Sequence, residues 1–163
     1  MKKLIVVILF FFSLNSYAQS ITTYYFIRHA EKNRSDLSNS NPNLTPKGYQ
    51  RAIKWSNVFR EVSFDAVYST DYSRTIQTAI PTANSKNIKP IIYDANDRYS
   101  LQFQKKTRGK TILIVGHSNT IPQFVNAVLK EERYSQIEDN NNSNLYIVTL
   151  HGDKANSVLL KID

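Results

Sequence analysis

The chain has 163 residues, a formal charge of +8 and no cysteine. That length fits one domain with a real core, not two, and the missing thiol excludes a disulfide framework or a thiolate metal site. The basic excess suits a phosphorylated or nucleic-acid partner. The lysines and arginines are scattered, however, without the basic run and interleaved aromatics of a nucleic-acid face, so no nucleic-acid partner is expected.

Lys2-Lys3, the apolar run Leu4 to Phe12 and the small-x-small pattern Ser16-Tyr17-Ala18 read as a secretory signal peptide cleaved after Ala18. Nine apolar residues are too few to span a bilayer comfortably. No cysteine comes after them to carry a lipid. The expectation is a signal over residues 1–18, one domain over 19–163, and an exported protein, periplasmic or secreted, with no stable membrane anchor. Losing Lys2 and Lys3 takes the charge from +8 to +6.

Ile21 to Arg28 is the first predicted strand, apolar and aromatic, and it stops at Arg28-His29-Ala30-Glu31. Asn33 to Asn43 is a polar loop at the mouth of any site there. Thr45 caps a helix with Pro46 at its first position, running to about Arg60 with a stripe of Ala52, Trp55, Val58 and Phe59. Phe64 to Ser69 is a second strand, and a helix begins near Ser73. That start puts Arg74 in a first turn, where the helix dipole disfavours a cation unless an anion is beside it. Lys89 to Tyr93 is a short third strand, with Asp94 and Asp97 just beyond it. A helix over Ser100 to Lys106 precedes the apolar strand Lys110 to Val115, which ends in Gly116-His117-Ser118. The helix after it, from Thr120 or Ile121, carries Phe124, Val125, Val128 and Leu129 on one face. Glu138 to Asn144 is a polar loop. Leu145 to Leu150 and Ser157 to Ile162 form a hairpin around the turn His151 to Lys154, which leaves His151 at the surface.

Alternating strands and helices with a final hairpin predict a three-layer α/β/α sandwich. Its sheet is mainly parallel with a C-terminal antiparallel hairpin. Ligands of such sheets bind beyond the carboxyl ends of the strands. Three strand ends carry the polar groups: Arg28-His29, Ser69 to Arg74, and His117. Two arginine forks match phosphate oxygens, and His117, if protonated, and backbone N–H groups with Ser118 add donors. A neutral His29 can attack phosphorus, while the arginines absorb the charge of the transition state. No metal and no cofactor is required, and three histidines without cysteine supply a zinc site poorly.

Arg28-His29-Ala30-Glu31 resembles the Arg-His-Gly-Glu motif of the histidine phosphatase superfamily, the phosphoglycerate-mutase-like family. Leu44 to Ala52, Ser69 to Ala79 and Gly116-His117-Ser118 resemble its further motifs, in its order. The resemblance is to the short, single-domain branch that includes small phosphohistidine phosphatases. It implies that His29 is the phosphorylated nucleophile and that Arg28, Arg74 and His117 form the phosphate pocket. Ala30 stands where the family has glycine, and Arg51 where it has glutamine. The family's general acid has no unambiguous counterpart. Asp94 and Asp97 lie in its region, Asp94 directly after the strand, and either can serve as an acid or cap the next helix. The reading is a metal-independent phosphatase acting on a phosphorylated small molecule or phosphoprotein. The alternative is a phosphoryl-binding protein that kept the pocket and lost turnover.

Overall fold

A computed structural model describes residues 20–163, so the signal-peptide reading of residues 1–18 lies outside the described residues. Strands β1 (Ile21–Arg28), β2 (Ala66–Ser69), β3 (Ile91–Ile92), β4 (Thr111–Gly116), β5 (Asn144–His151) and β6 (Lys154–Lys161) form one sheet in the order β3-β2-β4-β1-β5-β6. The first four in that order are parallel, β5 pairs antiparallel with β1, and β6 pairs antiparallel with β5. The helices are α1 (Pro46–Val58), α2 (Ser73–Ser85), α3 (Leu101–Thr107) and α4 (Thr120–Leu129), with a single 3₁₀ turn at Ala95–Asp97. No helix among the described residues is long and apolar enough to cross a membrane.

Alternation along the strands makes the two cores. Tyr24, Phe26, Ile112, Ile114 and Tyr146 face one way, onto Phe103 of α3 and Phe124, Val125 and Val128 of α4. Ile27, Val67, Leu113, Val115 and Leu145 face the other way, onto Trp55 and Ala79 of α1 and α2 and onto Phe59. This is the predicted three-layer sandwich, with helices on both faces of the sheet.

The strand order places the ends of β2, β4 and β1 side by side. Arg28 is in register with Gly116, and Ser69 with Val115. Helix α1 then fixes the backbone that leaves β1. The Glu31 carbonyl accepts from Thr45 N at 2.8 Å, and Gly48 lies so close that a Cβ there would sit 2.2 Å from that oxygen. Ala30 needs no left-handed backbone and packs with Leu44 and Ala52, which explains how alanine stands where the motif it resembles has glycine.

Several boundaries differ from the sequence reading. β3 is only Ile91–Ile92, because Pro90 offers no N–H to a ladder; Tyr93 N nevertheless reaches Ser69 O at 3.0 Å. β2 begins at Ala66. Val58 points outward, and α1 ends there with Phe59 as its C-cap. The hairpin turn is tighter than predicted: His151 pairs with Lys154 around Gly152, whose φ of +59° suits glycine.

Gly48→Ala must push backbone against backbone, and is expected to lose about 1–3 kcal/mol. Gln50→Ala, exposed on the same helix, should stay within about 0.5 kcal/mol. Urea unfolding of the two variants checks this.

Candidate active site

The three adjacent strand ends open into a cleft of about 670 Å³, of a size that holds a small molecule. Arg28, His29, Arg74, His117, Ser118 and Asp94 all line it, so the predicted cluster does converge. Asp97 is exposed and is not part of the lining.

His29 is 3% exposed. Its backbone is pinned at both ends: its N–H donates to Gly116 O at 2.8 Å, and its carbonyl accepts from Asn142 Nδ2 at 2.8 Å. Nδ1 lies 2.7 Å from the Ala30 carbonyl, an obligate acceptor, so Nδ1 carries the proton and Nε2 keeps its lone pair. Burial, opposed by that hydrogen bond and aided by Arg28, His117 and Arg74, pushes the His29 pKa down to about 3. A neutral imidazole with a fixed tautomer is the form a nucleophile requires.

The His117 ring lies 5.5 Å from that of His29, centroid to centroid. Its Nε2 is 3.0 Å from Thr70 Oγ1, and its Nδ1 is 3.5 Å from Arg74 NH2. Burial first, then Arg74, Lys32 and Arg28, push its pKa down to about 4. The expectation that a protonated His117 donates to phosphate therefore needs the anion to arrive. A dianion between the rings opposes the three cations and favours the imidazolium.

The arginines differ. Arg28 is 3% exposed and is held by the loop after α4. Its NH1 donates to the carbonyls of Glu138, Asp139 and Asn141 at 2.8, 3.1 and 3.0 Å, and its NH2 to Asp139 Oδ1 at 2.8 Å. Asp139 Oδ2 binds Arg34 at 2.8 Å, and these contacts hold the Asp139 carboxyl below the usual range against its own partial desolvation. Arg74, 8% exposed, has only long contacts, 3.4 Å to Ser40 O and 3.5 Å to His117, and no carboxylate partner among the described residues. The Tyr72 ring lies 4.4 Å from its guanidinium carbon. The Nε atoms of both arginines are buried without a partner. Buried cations in that condition are costly, and an anion in the cleft would relieve the cost.

Asp94 lines the cleft and also caps the 3₁₀ turn, accepting from Asn96 N at 2.8 Å. Arg51 grips Glu31 at 2.9 and 3.0 Å, outside the cleft lining. Sequence reasoning missed Lys32 and Asp139 as lining groups. Asp139 touches Arg28 across 111 residues, which no local pattern reveals. Among the described residues, no group of three or more His, Asp or Glu side chains could hold a metal ion.

The sequence model of the histidine phosphatase superfamily (branch 1) matches residues 24–96. No curated protein matches the chain in sequence. Solved structures share the fold. The protein histidine phosphatase SixA complexed with tungstate superposes with a TM-score of 0.67 at 15% identity, covering 85% of this chain and 96% of that one. The putative phosphohistidine phosphatase SixA from Agrobacterium tumefaciens gives 0.65 at 17%, with coverages of 87% and 99%. A phosphoserine phosphatase mutant from Entamoeba histolytica in complex with phosphoserine gives 0.64 at 17%, with 84% and 95% covered.

In the free protein, the imidazole resonances of His29 and His117 should not titrate between pH 8 and 5, and added inorganic phosphate should move the His117 midpoint upward. Proton NMR reads both. Each ring binds fewer protons folded than unfolded below its ordinary value of 6.5. Folding stability should therefore fall as pH drops from about 6.5 towards 4, which denaturant melts across that range will test.

Proposed function

The chain carries a histidine phosphatase superfamily sequence in residues 24–96 on a histidine phosphatase fold, and on that premise we propose that it is a phosphoric monoester hydrolase working through a phosphohistidine on His29. The observation that carries this reading is Arg74. It is a buried guanidinium at the start of a helix, with no carboxylate partner among the described residues, beside a neutral histidine pair.

In this reading the phosphoryl group enters the cleft and bonds the free donors of Arg74 and Arg28. His29 Nε2 attacks phosphorus, and the bond to the leaving oxygen breaks in line. The arginines take up the charge on the equatorial oxygens. We assign protonation of the leaving group to Asp94, which lines the cleft; Asp139, held ionised by two arginines, is a poor proton donor. Water then hydrolyses the phosphohistidine, and His29 is regenerated. The reaction needs no metal or cofactor. The substrate is a phosphorylated small molecule or phosphoprotein, met outside the cytoplasm if residues 1–18 direct export.

The test is hydrolysis of an activated aryl phosphate in chelator by wild type and variants. Wild type should turn over and His29→Ala should not. Arg74→Ala should lower kcat by about 10²–10³-fold, as loss of a charge-stabilising donor does elsewhere. Activity surviving in His29→Ala contradicts the mechanism, and activity abolished by chelator contradicts metal independence. Phosphate binding without turnover of any ester would favour the phosphoryl-binding alternative.

A further inference from the structure

The hydrogen bonds that lead to the His117 ring run in one direction. Thr75 Oγ1 lies 2.9 Å from the Thr70 carbonyl and 2.8 Å from the Tyr72 carbonyl, and both oxygens can only accept. Its single proton therefore points to them, because a hydroxyl turned elsewhere would set its lone pairs against two carbonyls. Thr70 Oγ1, at 3.0 Å, donates its own proton to Thr75 Oγ1. Only lone pairs then remain on Thr70 Oγ1 for His117 Nε2 at 3.0 Å, so Nε2 carries a proton. Both threonines are buried, which makes a misdirected hydroxyl costly.

The other edge of the ring agrees. Arg74 NH2, 3.5 Å from Nδ1, can only donate, so it faces a lone pair. The Tyr72 ring meets the imidazole edge to face at 4.9 Å between centroids, and the His117 N–H donates to Thr120 Oγ1 at 3.1 Å. Ring and backbone are both held. The two histidines thus have opposite tautomers: His29 is protonated on Nδ1 with Nε2 bare, and His117 is protonated on Nε2 with Nδ1 bare. The charged groups that His117 feels, Arg74, Lys32 and Arg28, are all cations. A phosphoryl anion offsets them. The proton that His117 then takes from solvent has one vacant nitrogen, Nδ1, on the Arg74 side. The Nε2–H bond to Thr70 strengthens as the ring becomes charged.

We propose, resting on the phosphatase reading above, that Thr70 is a positioning residue: oriented by Thr75, its hydroxyl fixes the His117 tautomer, so that Nδ1 is the nitrogen that takes up a proton and meets the phosphoryl oxygens.

Long-range proton–nitrogen NMR on histidine-labelled protein reads the tautomers without any variant. At neutral pH and without phosphate, His117 should be protonated on Nε2 alone and His29 on Nδ1 alone. Inorganic phosphate is then the probe for the charged ring. Thr70→Val, close to an isostere, should lower the phosphate-bound midpoint of His117 by about one pH unit. It should also lower kcat/KM for an aryl phosphate by about 10- to 100-fold. Thr70→Ser gives up a methyl group but keeps the hydroxyl, and should recover most of both losses. A purely structural role predicts the reverse order, with the serine variant the worse of the two. His117 protonated on Nδ1 in the free protein, Thr70→Val indistinguishable from wild type, or Thr70→Ser as impaired as Thr70→Val overturns the inference and leaves the phosphatase reading standing. The expected tautomers and midpoints in a protein that hydrolyses no ester overturn the phosphatase reading, while the hold of Thr70 on His117 stands.

Discussion

Two guanidinium groups buried at the carboxyl edge of a parallel sheet are the constraint on which the rest of the site depends. A charge removed from water must be paired or hydrogen-bonded. Arg28 meets this requirement through three backbone carbonyls and Asp139, all from one loop. Arg74 meets it only in part, with two long contacts and an aromatic face. The first arrangement gives a rigid wall, and the second leaves an unmet demand for an anion. Both histidines are held neutral in the same field, first by burial and then by those cations. One electrostatic condition thus accounts for the proposed anion preference and for the neutral state of His29.

The fold supplies the condition. Strand order β2-β4-β1 sets three polar termini next to each other, where a sheet built in chain order would have kept β1 and β4 apart. Gly48 lets α1 press onto the backbone of Glu31, and Asn142 and Gly116 hold His29 from two other elements. His29 sits at the end of regular structure rather than on a long loop, which keeps its position narrow.

Much of this was legible in the sequence for a simple reason. Apolar strands that end abruptly in Arg28-His29 and in Gly116-His117, and an arginine in a first helical turn, are local signals, and each survived folding in place. The short β3 was overread because Lys89 to Tyr93 is apolar enough for a strand, while Pro90 removes a donor. Val58 fell out of the stripe because α1 ends at that residue. Asp139 and Lys32 carried no local signal. Asp139 sits in a stretch that reads only as a polar loop, and its role exists through contacts to Arg28 and Arg34, which are distant in the chain. Asp94 drew notice as a candidate acid because it directly follows the short third strand.

The central claim is that phosphorus becomes bonded to His29. The most direct measurement is to mix the protein with an activated phosphoryl donor, quench in alkali during turnover, and locate the phosphoryl group by peptide mass spectrometry. The account predicts an acid-labile phosphoryl group on the peptide containing His29, absent from the same peptide carrying His29→Ala. A phosphoryl group on another residue, or steady turnover with His29 never modified, would contradict it.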